Sequence, residues 1–433
     1  MDTNTINPSQ EHGSAAFRAE YAIRDVQAGV ITATMAIPLS IGIALMSDYP
    51  IQVGLATVAF ASFIGFLFAW FRPGNYIGAP GIAAGLAPIL AMGVATFGIQ
   101  NMAFIIFLTA FFQAIIWSFN WQRYLLMAVP TYLVEGLLAG IGLKIALKFL
   151  PFLWMLPVGL IATAEFWSNE RLTVVVLSVI GVVLFLALFQ KFKDTKPAMP
   201  YFVLIIFGIL VSQAFNLNML TIEDVEFNLA LPIPDFDSVY LWLYAIFFAL
   251  MLATVDVIEQ VMSNAAIEKI DPLKRPCNSN NSLLSIWVSN MGASFFGGMT
   301  NLDGLAKSST NRLAGAYTKF SVLIIGLMIT FFVFNVELLH NLPYFALAII
   351  MVFVGVRMVM GLLHVAHHGP YALLLATVCA LLVFKVGIFE GLIITLVAHA
   401  VINFVIFRHI DEMKAGSIIR QYFDRFKDDD NIT

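Results

Sequence analysis

The chain has 433 residues, of which 60% are hydrophobic and only 12% are charged, and its formal net charge is −4. Its mean hydropathy of +0.88 excludes an ordinary soluble domain and is typical of a helical protein that crosses a membrane many times. Apolar and polar residues do not alternate in segments of about ten, which argues against a transmembrane β-barrel. The basic residues are scattered, which argues against binding to nucleic acid.

The order of polar and apolar segments along the chain predicts one large membrane domain between two short tails. Residues 1–23 are polar and predict a cytoplasmic tail without a cleavable signal peptide. Residues 24–408 predict about fourteen transmembrane segments in contact with the lipid bilayer. Residues 409–433 predict a short cytoplasmic tail, and the aromatic residues 149–166 predict a re-entrant or interfacial piece. We expect transmembrane spans at 26–46, 51–71, 101–119, after Pro130, and at 172–188, 200–217, 240–270, 282–296, 319–334, 342–359, 371–384 and 389–407.

Two of the apolar elements, the third and the tenth, are interrupted by glycine and proline. The third contains Gly78-Ala79-Pro80-Gly81, and the tenth contains the run from Gly297 to Asn311. These residues exclude plain helices, and irregular backbone at membrane depth is tolerated only where it lines a cavity or is buried in protein. Because the two elements occupy matching places in two halves of seven spans, we predict inverted repeats with a midplane binding site.

The two broken elements predict an anion site. Half-helices that begin inside the membrane direct unpaired N–H groups and the positive ends of their dipoles at its centre. Lys307, about one turn inside the tenth helix, adds a full positive charge, although an i,i+4 pair with Asp303 is an alternative role. Ser40, which follows Pro38 in the first span, is a further candidate. Close helix packing is another use of glycine-rich segments, but it does not explain Lys307.

A second group of polar residues lies on the eighth helix. Glu259 and Ser263 are four residues apart and share one face, with Asp256 one turn earlier. A buried carboxylate and a hydroxyl suit Na⁺, and a carboxylate can also carry a proton. A structural hydrogen bond from Glu259, or a pair with Lys307 before the anion arrives, remains open.

The sequence contains no constellation that indicates catalysis. It has no suitable Ser/His/Asp group, no P-loop, no zinc-ligand spacing and no dinucleotide-binding turn. We therefore expect no enzyme and no cofactor other than a coupling ion, and a secondary transporter or a channel remains. Loop lysines and arginines such as Arg72, Lys274 and Lys319 fall on one side and predict that both termini are cytoplasmic in a cell membrane.

Several of these residues resemble a known family. Glu259–Ser263, Gly297-Gly298 and Lys307–Asn311 resemble the eighth-to-tenth span block of the SulP family of sulfate permeases and bicarbonate transporters. The resemblance covers about residues 24–408. In the first, third and fifth spans it includes Ile37-Pro38, Ala79-Pro80 and Glu135–Gly142.

The resemblance implies an all-α fold of two inverted seven-span repeats with an elevator-like motion. It implies a core at about 24–120 and 240–338 and a gate at about 121–239 and 339–408. The substrate ligands that it implies are Lys307, Ser308, Gly304, Leu305, Ala79, Gly81 and Ser40. The cation-coupling residues that it implies are Glu259, Ser263 and Asp303, of which Glu259 and Ser263 are the candidate Na⁺ ligands.

Three departures from the family pattern affect the choice of substrate. Leu39 stands where many members have Gln, Lys307 stands where arginine is usual, and Asp303 adds a charge where small residues are usual. Lysine offers a point charge in place of the planar fork of arginine. The STAS domain that is common in the family is not expected after Phe407.

We therefore predict a secondary active transporter of a small inorganic anion, bicarbonate or sulfate, that is coupled to Na⁺ or H⁺. A nucleobase permease of the same architecture and a passive channel or exchanger for chloride or dicarboxylates are the alternatives. The oligomeric state is open, with a homodimer as one option.

Overall fold

The computed structural model describes residues 15–122, 124, 130–154, 169–215, 222, 225 and 227–402. The predictions for most of the tail at 1–23, for most of the aromatic piece at 149–166 and for the tail at 409–433 fall outside these residues.

The described part of the chain is mostly helical and contains fourteen α-helices. They are α1 (Ala22–Met46), α2 (Ile51–Phe68), α3 (Ala87–Phe97), α4 (Ile99–Ser118), α5 (Thr131–Phe149), α6 (Asn169–Phe192), α7 (Met199–Phe215), α8 (Val239–Ile270), α9 (Ser279–Ser294), α10 (Leu305–Leu313), α11 (Phe320–Phe334), α12 (Tyr344–Val365), α13 (Pro370–Lys385) and α14 (Ile388–Val401). Seven helical segments are long and apolar enough to cross a membrane, and five shorter apolar helices accompany them.

Two of the helices are short because they follow breaks in the backbone. Strand β1 (Pro80–Ile82) precedes a 3-10 turn at Ala84–Leu86 and then α3, and strand β2 (Asn301–Asp303) precedes α10. The third and tenth elements are therefore broken, as the glycine and proline pattern predicts. Their strands pair with each other in antiparallel orientation, which is a departure from the expected all-α fold.

The ends of most helices agree with the hydrophobic pattern. The eighth span, expected at 240–270, is α8 at Val239–Ile270. The twelfth, expected at 342–359, continues to Val365, because apolar residues follow and the chain breaks only at Gly369-Pro370. The inversion of the second repeat stays a prediction.

Packing divides the chain into two units. One unit contains the residues up to Ser118 together with Lys148–Val352, and the other contains Phe119–Leu147 and the residues from Phe353 onward. The first holds α1–α4, α6–α11 and both strands, and the second holds most of α5 with α13 and α14. The division into a core and a gate stays a prediction.

Within the first unit, α1 packs closely against α11 at Gly29. A Cβ atom on Gly29 would lie 2.6 Å from the carbonyl oxygen of Ser321 and 2.6 Å from the Cβ of Ile324. Real Cβ contacts are longer, so the two helices approach this closely only because position 29 lacks a side chain.

We expect Gly29→Leu to lower the free energy of unfolding by about 1–3 kcal/mol, because the added side chain forces α1 and α11 apart. Unfolding of the purified protein in detergent measures this change. Val30→Leu is the matched control, since Val30 is the next residue of the same helix and is 38% exposed. Equal stability of the two variants would refute the close approach.

Candidate functional site

The centre of the first unit is the strand pair. Pro80 lies opposite Asp303, Gly81 opposite Leu302, and Ile82 opposite Asn301. Beyond the ladder, Gly304 donates its N–H to the carbonyl oxygen of Ala79 at 3.1 Å. Because the strands are antiparallel, α3 and α10 leave the pair in opposite directions, and the first turn of each helix lies close to the centre.

Ser308 connects the two broken elements. Its hydroxyl oxygen accepts a hydrogen bond from the Ala79 N–H at 3.0 Å and donates to the Gly304 carbonyl oxygen at 2.8 Å. The hydroxyl is fully buried. Both contacts are to backbone, so Ser308 joins the start of α10 to the segment before β1.

Lys307 is the third residue of α10 and is 3% exposed. Its ammonium group donates a hydrogen bond to the Ser40 hydroxyl at 3.3 Å. A Cβ atom on Gly81 would collide with the same ammonium group, so the lysine lies directly against the backbone of β1. Among the described residues no carboxylate lies within 4.0 Å of it. The charge of Lys307 is therefore buried and has no counter-ion among the described residues.

The carboxylate of Asp303 pairs with a different lysine. Its Oδ2 lies 3.5 Å from Nζ of Lys319 and accepts a hydrogen bond from Asn75 Nδ2 at 2.5 Å. Lys319 also donates to the Gly78 carbonyl oxygen at 2.6 Å, and Asn75 accepts from the Gly78 N–H at 2.8 Å. The alternative pair of Asp303 with Lys307 is therefore replaced by a pair with Lys319. We call Asp303, Lys319 and Asn75 the clamp.

Lys319 is one of the loop lysines that predict the orientation, but it is 4% exposed. It immediately precedes α11, and its neighbour Asp303 compensates its charge at a buried position. A buried, paired lysine does not report on the side of the membrane, so the orientation prediction loses this residue as support.

Helix α8 holds strand β2 through one polar face. Gln260 accepts a hydrogen bond from the Asp303 N–H at 2.9 Å, and the Ser263 hydroxyl donates to the Asp303 carbonyl oxygen. Asn264 accepts a hydrogen bond from Asn75 Nδ2 at 3.1 Å. Residues three and four apart share one side of a helix, which explains why Gln260 and Ser263 reach Asp303 while Asn264 reaches Asn75 of the clamp.

Glu259 lies on the same part of α8, and its Oε2 atom is buried without a hydrogen-bond partner. No ion pair between Glu259 and Lys307 occurs in the described part of the chain. An unpaired carboxylate in a protein interior is costly unless it takes up a positive charge. The position therefore suits a cation or a proton.

The structure brings together most of the residues that the sequence singles out. Lys307 contacts Ser40 and Gly81, Ser308 joins Ala79 to Gly304, and Ser263 contacts Asp303. Leu305 begins α10 and is 45% exposed, so it borders the open side of the turn. Sequence reasoning missed Asn75, Gln260 and the clamp role of Lys319, for which the signal is a polar side chain within or beside an apolar segment.

A model described as the sulfate permease family matches residues 23–379. The chain belongs to the sulfate permease family. This confirms the resemblance that the eighth-to-tenth block indicates, and together with the seven long apolar helices of the described residues it supports a multi-pass membrane protein.

Two relatives of this family come from Bacillus subtilis (strain 168). The chain is 23% identical over 320 residues to the putative sulfate transporter YvdB, covering 71% of this chain and 58% of that protein. It is 24% identical over 342 residues to the putative sulfate transporter YbaR, covering 77% and 66% respectively. The chain thus spans about two thirds or less of the length of these curated relatives.

Two solved structures share the fold. The transmembrane domain of a cyanobacterium bicarbonate transporter, BicA, matches with a TM-score of 0.71 at 19% identity, over 89% of this chain and 98% of that one. The murine anion transporter Slc26a9 in the inward-facing state matches with a TM-score of 0.69 at 14% identity, over 94% and 73%. At these identities the likeness concerns the fold alone.

The clamp predicts strong coupling between Asp303 and Lys319. Asp303→Asn or Lys319→Met alone leaves one buried charge uncompensated, which costs about 3–5 kcal/mol, and the double variant loses less than the sum. A double-mutant cycle on the free energy of unfolding in detergent measures this coupling.

The exposed pair of Lys148 and Asp48, at 2.8 Å, is the matched control. We expect its coupling to be about 0–1 kcal/mol, since solvent screens both charges. Strictly additive losses at Asp303 and Lys319 would show that the two charges do not stabilise each other.

Proposed function

We propose that the protein is a secondary transporter that carries a small inorganic anion, bicarbonate or sulfate, across the cell membrane. The observation that supports this proposal is the ammonium group of Lys307. It is buried in the first turn of α10, hydrogen-bonds to Ser40, and has no counter-ion among the described residues.

An ammonium group has three N–H donors, and the Ser40 hydroxyl takes one of them. A buried positive charge without a partner is unfavourable, so an anion that approaches Lys307 is favoured. The N–H groups of the first turn of α10 have no partners within the helix and add to the attraction. Leu305 is exposed at this turn and leaves an approach to it open.

The backbone around Lys307 is fixed by buried hydrogen bonds, which favours a preorganised site. Ser308 joins α10 to Ala79, the clamp holds the turn at Gly78, and Gln260 and Ser263 hold Asp303. All these residues belong to the first unit. A site built in this way can move as one piece, and an elevator-like motion with alternating access is part of the proposal.

Coupling to Na⁺ or H⁺ through Glu259 is the second part of the proposal. The Oε2 atom of Glu259 is buried without a hydrogen-bond partner, and Ser263 connects the same helix to the carbonyl oxygen of Asp303. Asp303 in turn immediately precedes Gly304 and the first turn of α10, which carries Lys307 and which we call the anion turn. A cation at Glu259 would therefore act on the anion site through one short stretch of backbone.

A nucleobase permease would bind base edges with acidic residues of both the eighth and the tenth elements, and Asp303 is the candidate in the tenth. That carboxylate contacts Lys319 and Asn75, so it is already engaged, whereas Lys307 has no charged partner among the described residues. Uptake of uracil and of fumarate alongside sulfate and bicarbonate in proteoliposomes tests the alternatives directly.

We expect Lys307→Ala to reduce anion affinity at least about tenfold, because one hydrogen bond to a charged group contributes about 1.5–3 kcal/mol. Uptake of labelled sulfate and bicarbonate into proteoliposomes under Na⁺ and pH gradients measures the loss, and Lys307→Arg should retain part of the activity. Lys269→Ala is the control, since Lys269 is exposed at the end of α8. Unchanged uptake by Lys307→Ala would refute the anion site.

We expect Glu259→Gln to remove the dependence of uptake on the cation gradient, because the amide cannot neutralise a bound cation or carry the proton. Uptake with and without the gradient measures the effect. Glu337→Gln, at an exposed position before α12, is the control and should keep the dependence. Normal gradient-driven uptake by Glu259→Gln would show that coupling runs elsewhere.

A further inference from the structure

A second buried carboxylate on α8 has no assigned role. Asp256 is fully buried, one turn before Glu259. Its Oδ2 atom accepts hydrogen bonds from Gln113 Nε2 at 2.6 Å and from Asn290 Nδ2 at 3.3 Å. Its Oδ1 atom has no hydrogen-bond partner. Among the described residues no lysine, arginine or histidine lies within 4.0 Å of it.

Asp256 belongs to a buried amide network that joins α8, α4 and α9 to strand β2. Asn290 donates to the Gln113 oxygen at 2.9 Å. The Oδ1 atom of Asn290 accepts from the backbone N–H of Asn301 at 2.8 Å and from its side chain at 2.6 Å. The side chain of Asn301 also donates to Ser289 at 3.0 Å. The network therefore ends on the strand that leads into the anion turn.

Four oxygens of this region are buried without hydrogen-bond partners, namely Asp256 Oδ1, Glu259 Oε2, Thr300 Oγ1 and Asn301 Oδ1. The indole N–H groups of Trp117 and Trp287, about one turn from Gln113 on α4 and from Asn290 on α9, are buried donors without partners. By contrast, every side-chain amide nitrogen of Gln113, Asn290 and Asn301 has a partner. Carboxylate, amide and hydroxyl oxygens are the ligands that hard cations prefer. Two of the unpartnered oxygens belong to carboxylates, and these two indicate a missing positive charge.

Electrostatics leads to the same conclusion. Asp256 and Glu259 are three residues apart on one helix, so their side chains are neighbours and two negative charges would repel each other. Glu259 is the titratable group that acts on Asp256, while α4 and α9 present the neutral amides Gln113 and Asn290. One cation at Glu259 leaves the charge of Asp256 uncompensated.

We propose that the carboxylate of Asp256 is a second site for a monovalent cation, Na⁺ or H⁺, separate from the one at Glu259. The proposal rests on the cation coupling proposed above and extends it to two positive charges per chain. A cation at Asp256 acts on strand β2 through Asn290 and Asn301, whereas a cation at Glu259 acts through Ser263.

The test measures cation binding without any anion. Purified wild-type protein is titrated with Na⁺ at fixed pH while thermal unfolding and binding of labelled Na⁺ are recorded. Infrared spectra in H₂O and D₂O report buried protonated carboxyl groups through a deuterium-sensitive carbonyl band. We expect two cation equivalents per chain, summed over bound Na⁺ and protonated carboxyl groups at Asp256 and Glu259.

Asp256→Asn should remove one equivalent. If Asp256 binds Na⁺, the variant binds one Na⁺ ion fewer or needs at least about tenfold more Na⁺ for the same stabilisation. If Asp256 carries H⁺, the variant loses one carboxyl band and keeps the Na⁺ response. Asp48→Asn, at an exposed residue, is the control and should change neither readout.

An Asp256→Asn variant that keeps both the wild-type Na⁺ titration and all the carboxyl bands would overturn the proposal. If this variant does not fold, the wild-type protein decides alone, since a single cation equivalent would also overturn it. The same measurements on Lys307→Ala separate the two proposals, because loss of the anion site leaves both cation readouts unchanged.

Discussion

The structure depends on one constraint, which is that broken backbone inside a membrane must find hydrogen-bond partners within the protein. Each unsatisfied backbone group in hydrocarbon costs several kcal/mol. The segments before α3 and α10 are both broken, and each satisfies the other by forming β1 and β2. The remaining groups next to the ladder bond to side chains, as the Ala79 N–H does to Ser308 and the Gly78 carbonyl oxygen does to Lys319.

Two buried lysines near this strand pair have opposite environments. Lys319 has a carboxylate and a carbonyl oxygen as partners, so its charge serves to fix the backbone. Lys307 has a single hydroxyl partner, so its charge remains available. A protein interior tolerates such an uncompensated charge poorly, and this difference is why we propose Lys307, and not Lys319, as the anion ligand.

Much of the fold follows from the sequence, and the limits have physical reasons. Hydrophobic runs bounded by polar residues place helices such as α8 within one residue, and the glycine and proline at 78–81 place the third break. The strand pairing between Pro80 and Asp303 joins residues more than 200 positions apart and has no local signal. For the same reason the sequence offers Lys307, four residues away, as a partner of Asp303, whereas the structure pairs Asp303 with Lys319. Helix α10 and residues 314–318 separate β2 from Lys319, which directly precedes α11 and lies beside Asp303.

Helix α8 links the proposed anion site to the proposed cation sites. Its face carries Asp256, Glu259, Gln260, Ser263 and Asn264, spaced three and four residues apart. Toward the end of this face Gln260 bonds to Asp303 and Asn264 bonds to Asn75, next to the anion turn. At its start Asp256 bonds to Gln113 and Asn290. Since both ends reach strand β2, any positive charge that orders this face also orders the backbone in front of Lys307. In the proposed mechanism each cation neutralises one carboxylate of α8 and the anion neutralises Lys307, so each of these three buried charges has its own counter-ion only when cations and anion are bound together.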